Sequence, residues 1–500
     1  MTRCRPTAVL NRSGEPMTAS RSSAIAQLLA RIDARWLPFA DIATAEVPFS
    51  RFLRLSLFQL TVGMATTMFY GTLNRVMIVE LGVPSFVVAL MIAIPLLVAP
   101  FRALIGFRSD THRSYWGWRR VPYIYVGSFM QFGGLAIMPF ALLLLSGEQA
   151  SGPSWLPYLG AALAFFLVGA GAHTVQTSGL ALAGDLADEA KRPRVVALMY
   201  VMMLIGALIS ALFLGGMLRD FTPLRLIQVI QGAALFTIVC NFVALWKQEP
   251  RGPAVLEWGA TSERRPLFCD AWRTFIAGGH AVRLLVATGL GFFAFNMQDV
   301  LLEPYGGEIL DWSVAKTTSL TGIAAAGALV AFLLAARMME RGSDPVRVAA
   351  IGAVVGVASF ISVLFASPLH SSNLFATGTF LMGMGEGLFA VGTLSAAMGL
   401  RDATQHGIAL GAWGAVFATC EGLSMAVAGL MRDALSAQRL AGGFTGLLDD
   451  PSMPYGMVYL TETVLLFATL VALGPLVRLV RSGAIRRAPD GEFGLADLPA

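Results

Sequence analysis

The sequence predicts an all-α membrane protein of twelve transmembrane helices, organised as two six-helix halves. Three observations carry that expectation: an oily composition, twelve apolar windows of bilayer length, and basic residues crowded onto one side. Of 500 residues, 56% are hydrophobic and only 13% are charged, too apolar for a soluble chain of this length. A bilayer core takes roughly 20 apolar residues per helix. Windows of that kind run near 55–80, 83–104, 121–145, 155–182, 194–217, 224–246, 281–303, 317–337, 346–366, 372–399, 408–431 and 456–480. With both termini on the cytoplasmic side, all but six of the 36 Lys and Arg fall in the tails and cytoplasmic loops. Only Arg75, Arg219, Arg225, Lys316, Arg432 and Arg439 are left for the other face, the asymmetry that orients a multi-span chain.

This asymmetry accounts for the net charge of +5 without a nucleic-acid partner. Cys4, Cys240, Cys269 and Cys420 show no CxxC spacing, so neither a disulfide framework nor a zinc site is expected. No short apolar segment with a small-residue cleavage site opens the chain, and the first helix is expected to direct insertion itself.

The order of elements follows from these windows. Residues 1–50 form a cytoplasmic tail. Within it Ile25, Leu28, Leu29, Ile32, Trp36 and Phe39 recur at helical spacing around Arg31 and Arg35, which predicts an amphipathic helix on the membrane surface or against the bundle's own loops. The first half spans 51–246. A cytoplasmic linker, 247–280, carries a second apolar stripe of Leu267, Phe268, Ala271, Trp272 and Phe275, and with it a surface helix. The second half spans 281–480, followed by a cytoplasmic tail, 481–500. The halves echo each other: 181–210 with 396–424, and "NRVMIVELGVP" (74–84) with "QDVLLEPYGGEIL" (298–310). A duplicated six-helix unit joined by a cytoplasmic linker resembles the plan of the major facilitator fold.

The segment between the second and third spans, "GFRSDTHRSYWGWRRVPYIYVG" (106–127), supports that resemblance. Gly106 and Asp110 make the Gly-x-x-x-Asp turn that facilitators carry there, followed by Arg113, Arg119 and Arg120. A cytoplasmic gate is expected, with Asp110 facing the positive end of a helix in the opposite half and Arg113 or Arg120 paired with Asp185 or Asp188. Such a latch must break when the protein changes conformation. The alternative is plain orientation by positive charge. The inserted "SYWGW" (114–118) departs from the shorter facilitator pattern.

Together "LNRVMIVELGVP" (73–84), "PFRALIGFRSDTHRSYWGWRRVPYIYVGSFMQFGGLAIMPFALLLLSG" (100–147), "RVVALMYVMMLIG" (194–206) and "AWRTF" (271–275) resemble the bacteriochlorophyll delivery family of that superfamily, the PucC/LhaA group. The branch associated with core light-harvesting antenna assembly is the closer match. The resemblance runs from about residue 36 to 480. It is dense in the first half, and in the second it rests on position and on "GMGEGLFAVGTLSAAMGL" (383–400).

The resemblance implies bacteriochlorophyll as cargo, with carotenoid as a second pigment. It implies the alpha and beta polypeptides of the core antenna as partners, together with the reaction centre, bacteriochlorophyll synthase and the membrane insertion machinery. The setting would be a cytoplasmic or intracytoplasmic photosynthetic membrane, with both termini cytoplasmic. A neutral, flat magnesium macrocycle needs an apolar cleft, one axial ligand and a few donors for its carbonyl groups. The magnesium favours hard oxygen ligands but within this macrocycle also accepts imidazole.

Polar residues inside the apolar windows are the candidates, since an ionisable side chain there is functional by default. Only His173, among five histidines, falls deep in a span, in "GAGAHTVQTSGLALAGD" (169–185), and it is the candidate axial ligand; no metal is expected to be bound directly by the protein. Gln176 shares its helical face, and Gly169, Gly171 and Gly179 would let a macrocycle or another helix approach. Helix packing with His173 satisfied by a backbone carbonyl is the competing reading. Gln59, Asn296, Gln298 and Glu386 complete the pigment-binding candidates, and Gln131, Asp299, Glu421 and Glu462 are further intramembrane polar groups. Glu386, in a Gly-rich helix, suits ligand binding, proton transfer or a hydrogen bond across a helix contact. No phosphate loop, HExxH, nucleophile elbow or Asp-rich prenyl-transfer motif is present, so no enzyme is expected. Two other functions remain open: a conventional secondary transporter of a small solute, proton-coupled or not, and a scaffold without a ligand.

Overall fold

The computed structural model describes residues 48–96, 105, 109, 118–145, 153, 155–187, 192–249, 280–398, 406–443 and 445–481, and among them every regular element is helical. Eleven helices are long and apolar enough to cross a membrane, and Ser85–Leu96 is a shorter apolar helix in the second position. The expected tail helix, the linker helix and the C-terminal tail lie outside the described residues.

The first crossing combines α1 (Phe49–Leu55) and α2 (Leu57–Thr66) with two π-helical segments, Thr67–Leu73 and Val76–Glu80. Next come α3 (Ser85–Ala93), α4 (Val121–Leu145), α5 (Leu156–Leu186), α6 (Arg192–Met217) and α7 (Pro223–Leu245). After residue 279 follow α8 (His280–Asn296), a 3-10 turn (Met297–Val300), α9 (Leu302–Glu308), α10 (Val314–Glu340), α11 (Pro345–Ala366), α12 (Ser372–Met398), α13 (His406–Leu440) and α14 (Met453–Arg481). Helix starts follow local chemistry. Thr222 accepts the Arg225 N–H at 3.1 Å with Pro223 leading α7, and Asp344 accepts the Val346 N–H at 3.0 Å with Pro345 leading α11, both side-chain caps followed by a proline that has no N–H to lose.

Three elements differ from the apolar windows. The window 281–303 predicts one continuous helix; instead α8 stops at Asn296, and the chain tightens and restarts at Leu302. Polar Gln298 and Asp299, Pro304, and the pair Gly306 and Gly307 weaken regular helix there. The window 55–80 hides π-helical winding, held partly by Thr67, whose hydroxyl donates to the carbonyls of Gly63 (3.1 Å) and Ala207 (3.0 Å). α13 runs on to Leu440 rather than stopping at 431, because "RDALSAQRL" (432–440) is a good helix former even where it ceases to be apolar.

Close approach depends on small residues. A Cβ on Gly127 of α4 would lie 2.8 Å from the Gly171 carbonyl of α5, and one on Gly385 of α12 would lie 2.9 Å from the Gly352 carbonyl of α11. The halves meet through α3 against α13 and α6 against α10. Toward the end of the bundle opposite the termini they are joined by hydrogen bonds. Thr72 meets Thr318 at 3.1 Å, Thr318 donates to the Gly71 carbonyl at 3.0 Å, and Asn74 donates to the Asp299 carbonyl at 3.2 Å. Asp433 accepts the backbone N–H groups of Ser85 (3.2 Å) and Phe86 (2.8 Å) at the start of α3, where the helix dipole favours a carboxylate.

Candidate functional site

The break after α8 gathers polar groups inside the bundle. Asn296, Gln298, Asp299 and Glu303 follow one another through the 3-10 turn into α9. The Gln298 amide donates to Asp299 Oδ1, and Thr321 of α10 donates to Glu303 Oε1 at 3.0 Å. Glu386 of α12 and Glu421 of α13 lie within electrostatic reach of Asp299, as does Glu462 of α14. From the other half, the Tyr70 hydroxyl donates to Glu421 Oε1 at 3.2 Å. Glu462 is fully buried and neither of its carboxylate oxygens has a hydrogen-bond partner; Asn296 Nδ2 and Gln298 Oε1 are likewise buried and unpartnered.

Glycines explain why Glu386 is aimed inward. Gly383 and Gly387 face α10, where a Cβ would fall 2.0 Å from the Ala324 carbonyl and 2.8 Å from Ala331, while Gly385 faces α11. Those faces being closed, Glu386 shares the remaining stripe of α12 with Ala390 and Thr393. An aromatic wall stands beside it. Trp413 and Phe417 are stacked at 5.7 Å with ring planes 3° apart, and Phe292 sits edge-on to both, at 5.5 and 4.7 Å. The Trp413 indole N–H donates to Thr393 Oγ1 at 3.1 Å. Trp413, Phe417 and Glu421 recur every four residues, so aromatic wall and carboxylate occupy one face of α13.

In the first half, Gln176 Nε2 donates to Gln59 Oε1 at 3.4 Å and approaches Met203 Sδ at 3.6 Å. His173, partly buried, lies one turn earlier on that face of α5. The structure therefore pairs Gln59 with Gln176 in one half and assembles Asn296, Gln298 and Glu386 in the other; no described hydrogen bond joins the two groups. Gln131 serves elsewhere, accepting from Asn241 at 3.2 Å in a buried network with Ser128 and Thr61 that ties α4, α7 and α2 together.

At the termini end, Gly106, Asp110, Arg113 and Asp188 lie outside the described residues. Arg120 forms a two-pronged pair with Asp185, Nε to Oδ2 at 2.6 Å and Nη2 to Oδ1 at 3.2 Å, and Arg119 stands 3.6 Å from the same carboxylate. The expected pairing of Arg120 with Asp185 is present, while the contact expected of Asp110 with the opposite half lies outside the described residues. Arg120 precedes α4 and Asp185 ends α5, so the pair clasps two helices of one half. Glu249 completes the corner, accepting the backbone N–H groups of Arg119 (2.8 Å), Arg120 and Val121 (3.0 Å) at the start of α4.

Sequence reasoning passed over Glu249, Tyr70, Glu303 and the pairs Arg75–Glu80 (2.5 Å) and Arg432–Glu308. The available signal was the rarity of charges on the face opposite the termini. Arg75 and Arg432 are two of six basic residues there, and each needs a carboxylate.

The family model described as PUCC protein matches residues 72–480. The chain belongs to that family. Among PUCC relatives, Protein PucC of Rhodovulum sulfidophilum is 53% identical over 83% of this chain and 91% of its own length. The protein described as uncharacterized in the puhA-bchM intergenic region of Rhodobacter capsulatus is 50% identical over 93% of this chain and 97% of its own length. More distantly, the Bacteriochlorophyll synthase 44.5 kDa chain of Rhodobacter capsulatus is 25% identical over 74% and 84%. Among solved structures, a bacterial homologue of the iron transporter ferroportin, in an inward-facing state, superposes with a TM-score of 0.64 at 13% identity, covering 85% of this chain and 98% of the other. That likeness establishes the fold: this PUCC-family chain has the major facilitator architecture.

Proposed function

We propose that this PUCC-family chain is an assembly factor of the photosynthetic membrane that binds bacteriochlorophyll and delivers it to newly inserted core light-harvesting antenna polypeptides. The supporting observation is the seam where α8, α12 and α13 meet. It brings together the stacked rings of Trp413 and Phe417 on α13 and, at the end of α8, the buried Asn296 Nδ2, an unpartnered donor for a ring carbonyl. Such a site suits a large neutral ring with peripheral carbonyls. His173, with Gln59 and Gln176 beside it, supplies the imidazole that would ligate the pigment's magnesium from the first half. A relative named as a bacteriochlorophyll synthase chain is consistent with this cargo.

On this reading the chain changes no bond in its cargo and is not an enzyme. It works in the bacterial cytoplasmic or intracytoplasmic membrane with both termini cytoplasmic. It docks the antenna alpha and beta polypeptides, near the reaction centre, bacteriochlorophyll synthase and the insertion machinery, and carotenoid is a second cargo.

Protein purified in mild detergent from phototrophically grown cells should show near-infrared tetrapyrrole absorption, reduced by His173→Ala and by the pair Asn296→Leu and Gln298→Leu. A colourless preparation from pigmented cells would sink the proposal. The transporter reading draws on the fold and the buried carboxylates; gradient-driven solute uptake by a pigment-free preparation in liposomes would favour it.

A further inference from the structure

We propose that Thr393 is a positioning residue for the aromatic wall: it holds the Trp413 indole N–H against α12 and so decides which edge of that ring meets the cargo. The inference rests on the pigment-binding reading above. Thr393 is fully buried, and its hydroxyl donates to the Phe389 carbonyl at 2.9 Å, with the Ala390 carbonyl at 3.2 Å. A hydroxyl has one hydrogen and two lone pairs, so a hydrogen turned back onto its own helix leaves the oxygen as a fixed acceptor. The Trp413 N–H donates to it at 3.1 Å. The helix that carries Thr393 is itself anchored. A Cβ on Gly392, the preceding residue, would lie 2.4 Å from the Ala349 nitrogen of α11, so α12 is seated backbone to backbone on α11 at this level.

The neighbouring rings constrain a different property. The terminal torsion of an aromatic side chain is broad and roughly two-fold. Phe417 lies parallel to the Trp413 ring within 3°, and Phe292 meets it at 82°. Both contacts fix the plane of the indole, and half a turn about that torsion keeps the same plane. An indole N–H is a donor only and needs a partner where water is excluded. Thr393 supplies the partner and thereby selects the edge.

That selection bears on how the cargo is seated. Phe292 precedes Asn296 by one turn of α8, so the wall stands near Asn296 Nδ2, the buried donor left for a ring carbonyl. An indole N–H released from Thr393 would be a second donor and would offer the carbonyls another seating. With the N–H held on α12 the wall stays apolar, and Asn296 sets the orientation of the ring.

The test titrates bacteriochlorophyll into the full chain in mild detergent, comparing the parent with Thr393→Val, which keeps the shape and loses the acceptor, and Thr393→Ser, which keeps the acceptor. Thr393→Val should weaken binding roughly three- to tenfold and shift the carbonyl stretch of the bound pigment in resonance Raman spectra. Thr393→Ser should restore both. Adding Trp413→Phe to Thr393→Val should remove the carbonyl shift, because the released donor is then gone. Ultraviolet Raman difference spectra against Trp413→Phe isolate one of nine tryptophans, and its N–H band should move in Thr393→Val but not in Thr393→Ser. Thr393→Ala replaces Thr393→Val if the latter does not fold. Parent-like affinity and bands in Thr393→Val, or no rescue by Thr393→Ser, would overturn the proposal while leaving the pigment reading intact. A parent chain that takes up no bacteriochlorophyll would overturn the pigment reading, and the indole band then decides the positioning role by itself.

Discussion

Arg75 shows how a residue's role depends on winding that hydropathy does not register. Glu80 lies five positions further on, a spacing that ordinary α-helix turns away from one face but that i to i+5 winding brings together. Arg75 also donates to the Trp312 carbonyl of the other half at 3.2 Å and fills the space over Gly307, where a Cβ would fall 2.8 Å from its Nε. Arg75→Ala should lower stability by about 1–3 kcal/mol, toward the lower end because Glu80 is partly solvated. Gly307→Leu should be damaging while Arg75 is present and milder once it is removed, as read by thermal unfolding of single and double variants in detergent. The loop before α14 supplies the pH dependence. Asp450 accepts the Ser452 N–H at 2.7 Å and the Ser452 hydroxyl at 2.5 Å, and these bonds hold its carboxyl below the usual value. Its contribution is therefore complete above the unfolded carboxylate range and is lost as pH falls below roughly 4. Melting temperature on that acid limb should fall less steeply in Asp450→Asn.

At the scale of elements, the apolar windows locate the crossings well because bilayer length and hydropathy are local properties of the chain. The breaks are a different matter. In 74–84 and 298–310 the sequence shows an echo between halves, yet the echo does not say that one copy winds as π-helix and the other collapses into a 3-10 turn. Packing of each copy against the other, through Asn74 on the Asp299 carbonyl, settles their shape and comes from residues far apart in sequence. The same limit explains the gate. Arg120 and Asp185 are legible as partners by charge and as members of the first half, but that Arg119 shares the carboxylate and Glu249 closes the same corner follows only from where the helices lie. Asp185→Asn should accordingly lower thermal stability by about 1 kcal/mol, since the carboxylate is partly exposed. It should leave the distance between halves unchanged; a changed distance would give this pair the role of a latch.

Across the whole molecule, the twelve helices, the two halves and the family are legible from composition, charge asymmetry and a few dense motifs. The site is legible only in pieces. Asn296, Gln298 and Glu386 stand out as polar residues in oily spans, whereas Tyr70, Trp413 and Phe417 look like ordinary apolar surface until folding places them beside those groups. The Gln59 and Gln176 pair lies in the opposite half, so the proposed site draws on residues of both halves. The most direct measurement is the near-infrared spectrum of the protein purified in mild detergent from phototrophic cells, taken alongside Trp413→Ala, Phe417→Ala and His173→Ala preparations. The account predicts a bound tetrapyrrole in the parent chain, diminished when the residues of either half are altered. A pigment-free parent protein, or a spectrum untouched by all three substitutions, would contradict it.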